Sequence, residues 1–170
     1  MKIHLVLGDI TQIKAEAIVN AANSSLLGGS GVDGAIHKAA GKQLLEECRR
    51  LNGCHTGEAK LTKGYNLYAK FIIHTVGPVW NGGDKQEIDI LKNCYLNSLK
   101  IATKMGIKSI AYPCISTGRY CFPIKLAAEI AIDNVREYSE IDKHIEEVYF
   151  VCYDKQNYNE YAKILKLEQL

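Results

Sequence analysis

The chain has 170 residues, of which 47% are hydrophobic and 24% charged, and a formal net charge of +2. That length suits one domain, residues 1–170, able to bury about 70% of its unfolded surface, and the composition excludes a disordered chain or a polyelectrolyte. Near-neutral charge argues against a nucleic-acid binder built on a broad basic face: the basic runs 42–50 and 163–166 are interleaved with Glu or Leu and read as solvated helix faces.

An opening strand is predicted over Lys2 to Leu7. Gly8-Asp9 interrupts this apolar run before a signal-peptide core is complete, and no later run approaches a membrane span. The expectation is a cytoplasmic protein with no membrane partner. Asp9 stands before Ile10 and Thr11, where it serves either as a cap or, in a ligand cleft, as an acceptor suited to an adenine amino group. A second strand, Ala17 to Asn20, leads through Ala21-Ala22-Asn23 into Gly28-Gly29-Ser30-Gly31-Val32-Asp33-Gly34. Glycine lets main-chain N–H groups turn toward a ligand with no Cβ in the way, and a following helix N-terminus adds partial positive charge. Such a loop suits an anion, or is merely a tight turn, and the acid inside it needs a reason. Asn20 reads as a cap or a tie to a neighbouring loop, and Asn23, nearer the glycines, as a partner for a sugar hydroxyl. From Gly31 to Arg50 the apolar residues recur with a 3.6-residue period, predicting one helix with Asp33 in its first turn.

Glu58 to Tyr65 alternates small or apolar with polar residues and leads into a strand at Lys70 to Val76, so a short antiparallel pair is expected. A helix follows over Lys85 to Met105, a strand over Ser109 to Cys114, the loop Ser116-Thr117-Gly118-Arg119-Tyr120, and a helix from Pro123 to Tyr138 with proline at its first position. A last strand, Glu147 to Tyr153, and a helix over Asn157 to Lys166 complete the order. Near-continuous apolar strands alternating with helices predict a three-layer α/β/α sandwich around a mixed sheet. In open α/β sheets ligands gather beyond the carboxyl ends of strands, which selects the loops at 8–11, 28–34 and 116–120. Two loops facing each other would grip a diphosphate. At about 1.5–3 kcal/mol per charge-assisted hydrogen bond, four or five main-chain donors need little help from lysine or arginine.

Rival chemistries lack their patterns. The G-x-G-x-x-G spacing and its distant acid are absent, and no Gly-Lys-Ser/Thr follows the glycines. The six cysteines form no C-x-x-C pair and fit reduced thiols, and the five histidines form no metal-binding helix motif, so no metal site is expected. Ser116 and Cys114 have no partner His or Asp that would make either a nucleophile, and Cys114 reads as core.

The stretches Gly8-Asp9-Ile10-Thr11, Ala17-Ile18-Val19-Asn20-Ala21-Ala22-Asn23, Gly28 to His37, Thr56-Gly57-Glu58-Ala59, Ile73-His74-Thr75-Val76-Gly77-Pro78 and Ile115-Ser116-Thr117-Gly118 run in one order across the first three quarters of the chain. Together they resemble the macrodomain family, specifically its MacroD-like ADP-ribosyl hydrolases. The resemblance implies a macrodomain fold with an ADP-ribose pocket. Asp9 would accept from the adenine amino group with the Ile10 backbone beside it. Gly29, Ser30, Gly31 and Val32 would enclose the diphosphate from one side and Ser116, Thr117, Gly118, Arg119 and Tyr120 from the other. Asn23 would fix the distal ribose, with Asn20 among the ligand-binding residues, Tyr120 packed over that ribose and Tyr153 stacked near adenine. Asp33 matches the acid of the family's hydrolases, where a carboxylate would orient or deprotonate a water that attacks an ester of the sugar. A nearby diphosphate would raise its proton affinity; the alternative is a helix cap. The family usually continues its second loop with a small aliphatic residue, an aromatic and glycine, whereas this chain has Arg119-Tyr120-Cys121, with Cys121 in the glycine's place. Arg119 then touches phosphate or a protein substrate, or points to solvent.

The implied function is a monomeric hydrolase, needing no metal or organic cofactor, that removes ADP-ribose from acidic side chains of mono-ADP-ribosylated proteins, deacetylates O-acetyl-ADP-ribose, or does both. Asp33 is its expected base and Asn23 its positioning residue. The alternatives are a non-catalytic reader of ADP-ribose and, disfavoured by modest charge and the lack of a paired aromatic platform, an RNA or poly(A) binder.

Overall fold

The computed structural model describes residues 1–170. Six strands, β1 (Lys2–Leu7), β2 (Ala17–Ala21), β3 (Ala59–Lys63), β4 (Phe71–Thr75), β5 (Ser109–Tyr112) and β6 (Glu147–Cys152), form one sheet in the order β1-β6-β5-β2-β4-β3. All neighbours are parallel except β3 and β4, which pair antiparallel with Leu61 opposite Ile73. The sheet is therefore mixed, and β3 is the short antiparallel strand expected from the alternation at 58–65.

The strands divide their side chains between two cores because successive residues point to opposite faces. Ile18, Ile72, Ala111 and Val151 pack against Ile36 of α1 (Gly31–Ala40) and Leu44 and Cys48 of α2 (Lys42–Arg50). Val19, Ile73, Ile110, Tyr112 and Phe150 pack on the other face, against α3 (Glu87–Lys104), α4 (Ile124–Ile141) and α5 (Lys155–Leu165). Helices thus cover both faces of the sheet, the three-layer arrangement the apolar strands require.

The single helix expected over Gly31 to Arg50 is two. The apolar period runs on through the junction, but Gly41 takes φ +92° and ψ 176°, donates its N–H to the His37 carbonyl, and starts a new axis. Asn66 packs so close to Gly41 that a Cβ there would stand 3.0 Å from its amide. Pro123, expected at the first helical position, is instead the residue before α4. α3 starts at Glu87, two residues later than expected, because its carboxylate accepts N–H groups of Asn81, Gly83 and Lys85 and ties the preceding loop to the helix. α5 starts two residues earlier than expected, where Asp154 accepts from the Asn157 N–H at 2.8 Å. No helix is long and apolar enough to cross a membrane.

Candidate functional site

The carboxyl ends of β1, β2, β5 and β6 open onto a cleft of about 610 Å³, a volume within the ordinary range for small-molecule sites. The three loops chosen from the sequence meet there: Asp9 and Ile10 after β1, Asn23 and Gly29 to Asp33 after β2, and Ser116 to Tyr120 after β5, with Tyr153 after β6. Asn20 does not line the cleft and acts from beneath it, through Asp33.

The glycine loop is pressed onto α1. Gly34 passes so close to the Gly29 carbonyl that a Cβ would lie 2.5 Å from that oxygen, so only glycine permits the approach. Asn23 holds the loop from behind, donating from Nδ2 to the Gly28 carbonyl at 2.8 Å while its Oδ1 accepts from the Ser25 hydroxyl and N–H. The main-chain N–H groups of Gly29 in the loop, of Ser30 at the helix cap and of Gly31 and Val32 in the first turn donate to nothing within the protein. Across the cleft, the N–H groups of Gly118, Arg119 and Tyr120 are equally without internal partners. Those seven donors need no net charge to hold an anion.

The second loop is braced from below. Phe122 N–H donates to Ser116 O at 2.9 Å, Trp80 N–H to Tyr120 O at 2.8 Å, and the Trp80 and Phe122 rings meet with centroids 4.8 Å apart. Ser116 sits at φ +66°, a backbone that non-glycine residues seldom adopt, and its buried hydroxyl has no hydrogen-bond partner in the protein. A Cβ on Gly77 would collide with that hydroxyl, so the β4 exit and the second loop touch at this point. Cys121, which the resemblance sets in the place of a glycine, also takes a positive φ, +57°, and its N–H donates to Gly118 O at 3.0 Å. The loop keeps its turn at the cost of backbone strain in this residue. Arg119 is exposed on the rim.

At the other end of the cleft Asp9 serves as the cap, with one carboxylate oxygen left over. Its Oδ1 accepts from the Thr11 N–H at 2.9 Å and the Thr11 hydroxyl at 2.7 Å, capping the short turn Ile10–Gln12, and its Oδ2 has no partner. Tyr153, after β6, is 87% exposed and also lines the cleft. Asn157, to which the sequence pattern assigns only a place in a helix, also lines the cleft, with a buried Oδ1 that nothing in the protein bonds.

Asp33 is 4% exposed at the first turn of α1. Burial pushes its carboxyl pKa above the ordinary value, opposed by a hydrogen bond from Asn20 and the nearby His37. Asn20 Nδ2 donates to Asp33 Oδ1 at 2.9 Å, and His37 Nε2 lies 3.5 Å from the same oxygen. Asn20 is fully buried and also meets Nδ1 of His74, the residue beside it in the β2–β4 register, at 3.1 Å. Nothing in the sequence motifs assigns a role to His74 or Thr62; His74 is marked only as a polar side chain in an apolar strand, and Thr62, among the alternating polar residues of β3, is not marked at all.

The Macro domain family model matches residues 19–131. A Macro domain-containing protein of Chlorobaculum tepidum is 56% identical to this chain over 163 residues, covering 96% of this chain and 95% of that protein. A protein of Escherichia fergusonii named O-acetyl-ADP-ribose deacetylase is 54% identical over 170 aligned positions, again covering 96% and 95%. Among solved structures, the Trypanosoma brucei macrodomain in complex with ADP-ribose superposes with a TM-score of 0.91 at 44% identity, covering 96% of this chain and 68% of that one.

Proposed function

Since the chain belongs to the Macro domain family, we propose that it binds ADP-ribose in the cleft and hydrolyses esters of its distal ribose, whether the acyl group is acetate or an acidic side chain of a modified protein. One observation carries this reading: the cleft that joins two loops of unpartnered main-chain donors has a buried carboxylate, Asp33, at one of them. A diphosphate suits the paired loops, and Asp9 Oδ2 and Tyr153 suit an adenine at the far end. The relative named O-acetyl-ADP-ribose deacetylase supports ester hydrolysis as the reaction class.

Asp33 acts as the general base. A buried carboxylate with raised proton affinity takes a proton from water more readily than an exposed one. The hydroxide so formed attacks the ester at its acyl carbon or at the anomeric carbon; the bond to the departing oxygen breaks, and the proton held by Asp33 neutralises the leaving group. Asn23, fixed by its bond to Gly28, places the distal ribose.

Hydrolysis of O-acetyl-ADP-ribose and of an ADP-ribosyl-glutamate peptide by wild type and Asp33→Ala tests the reading. A general base contributes about 10²–10⁴-fold, so Asp33→Ala is expected to lose at least about 100-fold in kcat while calorimetry gives ADP-ribose affinity within a few-fold of wild type. Full activity in Asp33→Ala would remove the catalytic assignment and leave the pocket. Tight binding with no turnover by wild type would make the protein a reader of ADP-ribose.

A further inference from the structure

Asp33 is one end of a chain of hydrogen bonds that begins at the edge of the sheet. Thr62 Oγ1 on β3 donates to the Lys63 carbonyl at 3.1 Å, and the same oxygen lies 2.8 Å from His74 Nε2 on β4. His74 Nδ1 lies 3.1 Å from Asn20 Nδ2 on β2, which lies 2.9 Å from Asp33 Oδ1 on α1. All four side chains are buried.

The direction of the links is set at the two ends, where the acceptor can only accept. With its one proton on the Lys63 carbonyl, the Thr62 hydroxyl accepts from His74 Nε2–H, the assignment that agrees with Asn20 donating to the Asp33 carboxylate at the other end. A neutral imidazole has one N–H, which leaves Nδ1 as an acceptor and obliges Asn20 to present its NH₂. The second hydrogen of that NH₂ then falls on Asp33. An N–H aimed at a carboxyl group favours the ionised form, the only form able to accept a proton. Burial keeps His74 neutral, which the chain requires.

We infer that His74 and Thr62 are positioning residues: through Asn20 they hold Asp33 as a carboxylate although it is buried. The inference rests on the reading of Asp33 as the base. Without the Thr62 hydroxyl, His74 Nε2–H faces only Cys48 Sγ at 4.0 Å, a weak acceptor. The imidazole proton then moves to Nδ1, Asn20 turns over to accept it, and the amide oxygen that faces Asp33 favours the protonated acid. The titratable groups around Asp33 are His37 on its own helix, His74 on β4 and Cys48 on α2; Thr62→Val substitutes none of them and reaches Asp33 only through the tautomer of His74.

The Asp33 carboxyl is titrated by ¹³C NMR, without ligand, in wild type, Thr62→Val, Thr62→Ser and His74→Phe, with folding checked by circular dichroism. The midpoint is expected to rise by about one pH unit in Thr62→Val and His74→Phe and to stay near wild type in Thr62→Ser. In the hydrolysis assay the acid limb of the kcat profile moves by the same amount while KM holds. An unmoved Asp33 midpoint in either folded variant overturns the inference; should Thr62→Val unfold, the midpoint in His74→Phe decides it. Because the titration contains no substrate, it answers even if Asp33→Ala retains full activity, a result that would instead fail the functional reading.

Discussion

His74 ties acid stability to the interior of the site. Burial pushes its pKa from 6.5 down to about 3, so between those values the unfolded chain binds a proton that the folded chain refuses. Its contribution to stability is complete above about pH 6.5 and is lost as pH falls toward 3. Asp33 has the opposite sign: its raised pKa means the folded state bears a cost while it is ionised, relieved as pH falls through its folded value. Urea unfolding at pH 7 and pH 4.5 reads their joint effect. The loss of stability over that interval is expected to be at least about 2 kcal/mol larger in wild type than in His74→Phe, which has no imidazole to protonate and whose Asp33, with its midpoint raised, relieves more of its own cost over the same interval. An equal loss would mean that the imidazole titrates normally. Asn20 and His74 are legible in the sequence as odd polar residues in apolar strands. Their pairing is not, because the two stand 54 positions apart and only the β2–β4 register brings them together.

At the scale of elements, hydrophobic period carries most of the reading, and it fails where a single backbone angle decides. The pattern from Ile36 to Cys48 continues across Gly41, so nothing in the spacing of apolar residues announces the break. The starts of α3 and α5 escape it because they depend on Glu87 and Asp154 capping main-chain groups. The second loop's place at the cleft is legible in the sequence, and the departure that the resemblance marks in it is a matter of strain: Cys121 holds the left-handed turn that glycine takes without cost. Left-handed backbone costs an L-residue about 1–2 kcal/mol, partly offset by the greater freedom of glycine in the unfolded chain. Cys121→Gly is therefore expected to stabilise the protein by about 0.5–1 kcal/mol in urea unfolding, with ADP-ribose affinity unchanged. Destabilisation would show that the Cys121 thiol, near the Arg119 carbonyl at 3.5 Å, contributes more than the turn costs.

Over the whole molecule, parallel β1, β6, β5, β2 and β4 deliver their carboxyl ends to one side. That arrangement is legible as a class from alternating strands and helices, whereas the neighbour order is not, since it depends on crossings that no local pattern records. A ligand held between loops from separate strands ties those strands together. ADP-ribose at 100 times its Kd adds about 2.7 kcal/mol to stability and should raise Tm by roughly 5–10 °C in wild type. The absence of a shift in a thermal scan would count against the cleft as its site. The chain from Thr62 to Asp33 also bears on how the sheet assembles. If β2 slipped by one residue along β4, Val19 or Ala21 would stand opposite His74 in place of Asn20. Asn20 would turn toward the α3 face, and several buried polar groups would lose their partners, each at a cost of about 1–3 kcal/mol. The hydrogen bonds that run from Thr62 to Asp33 thus also penalise any other alignment of the central strands.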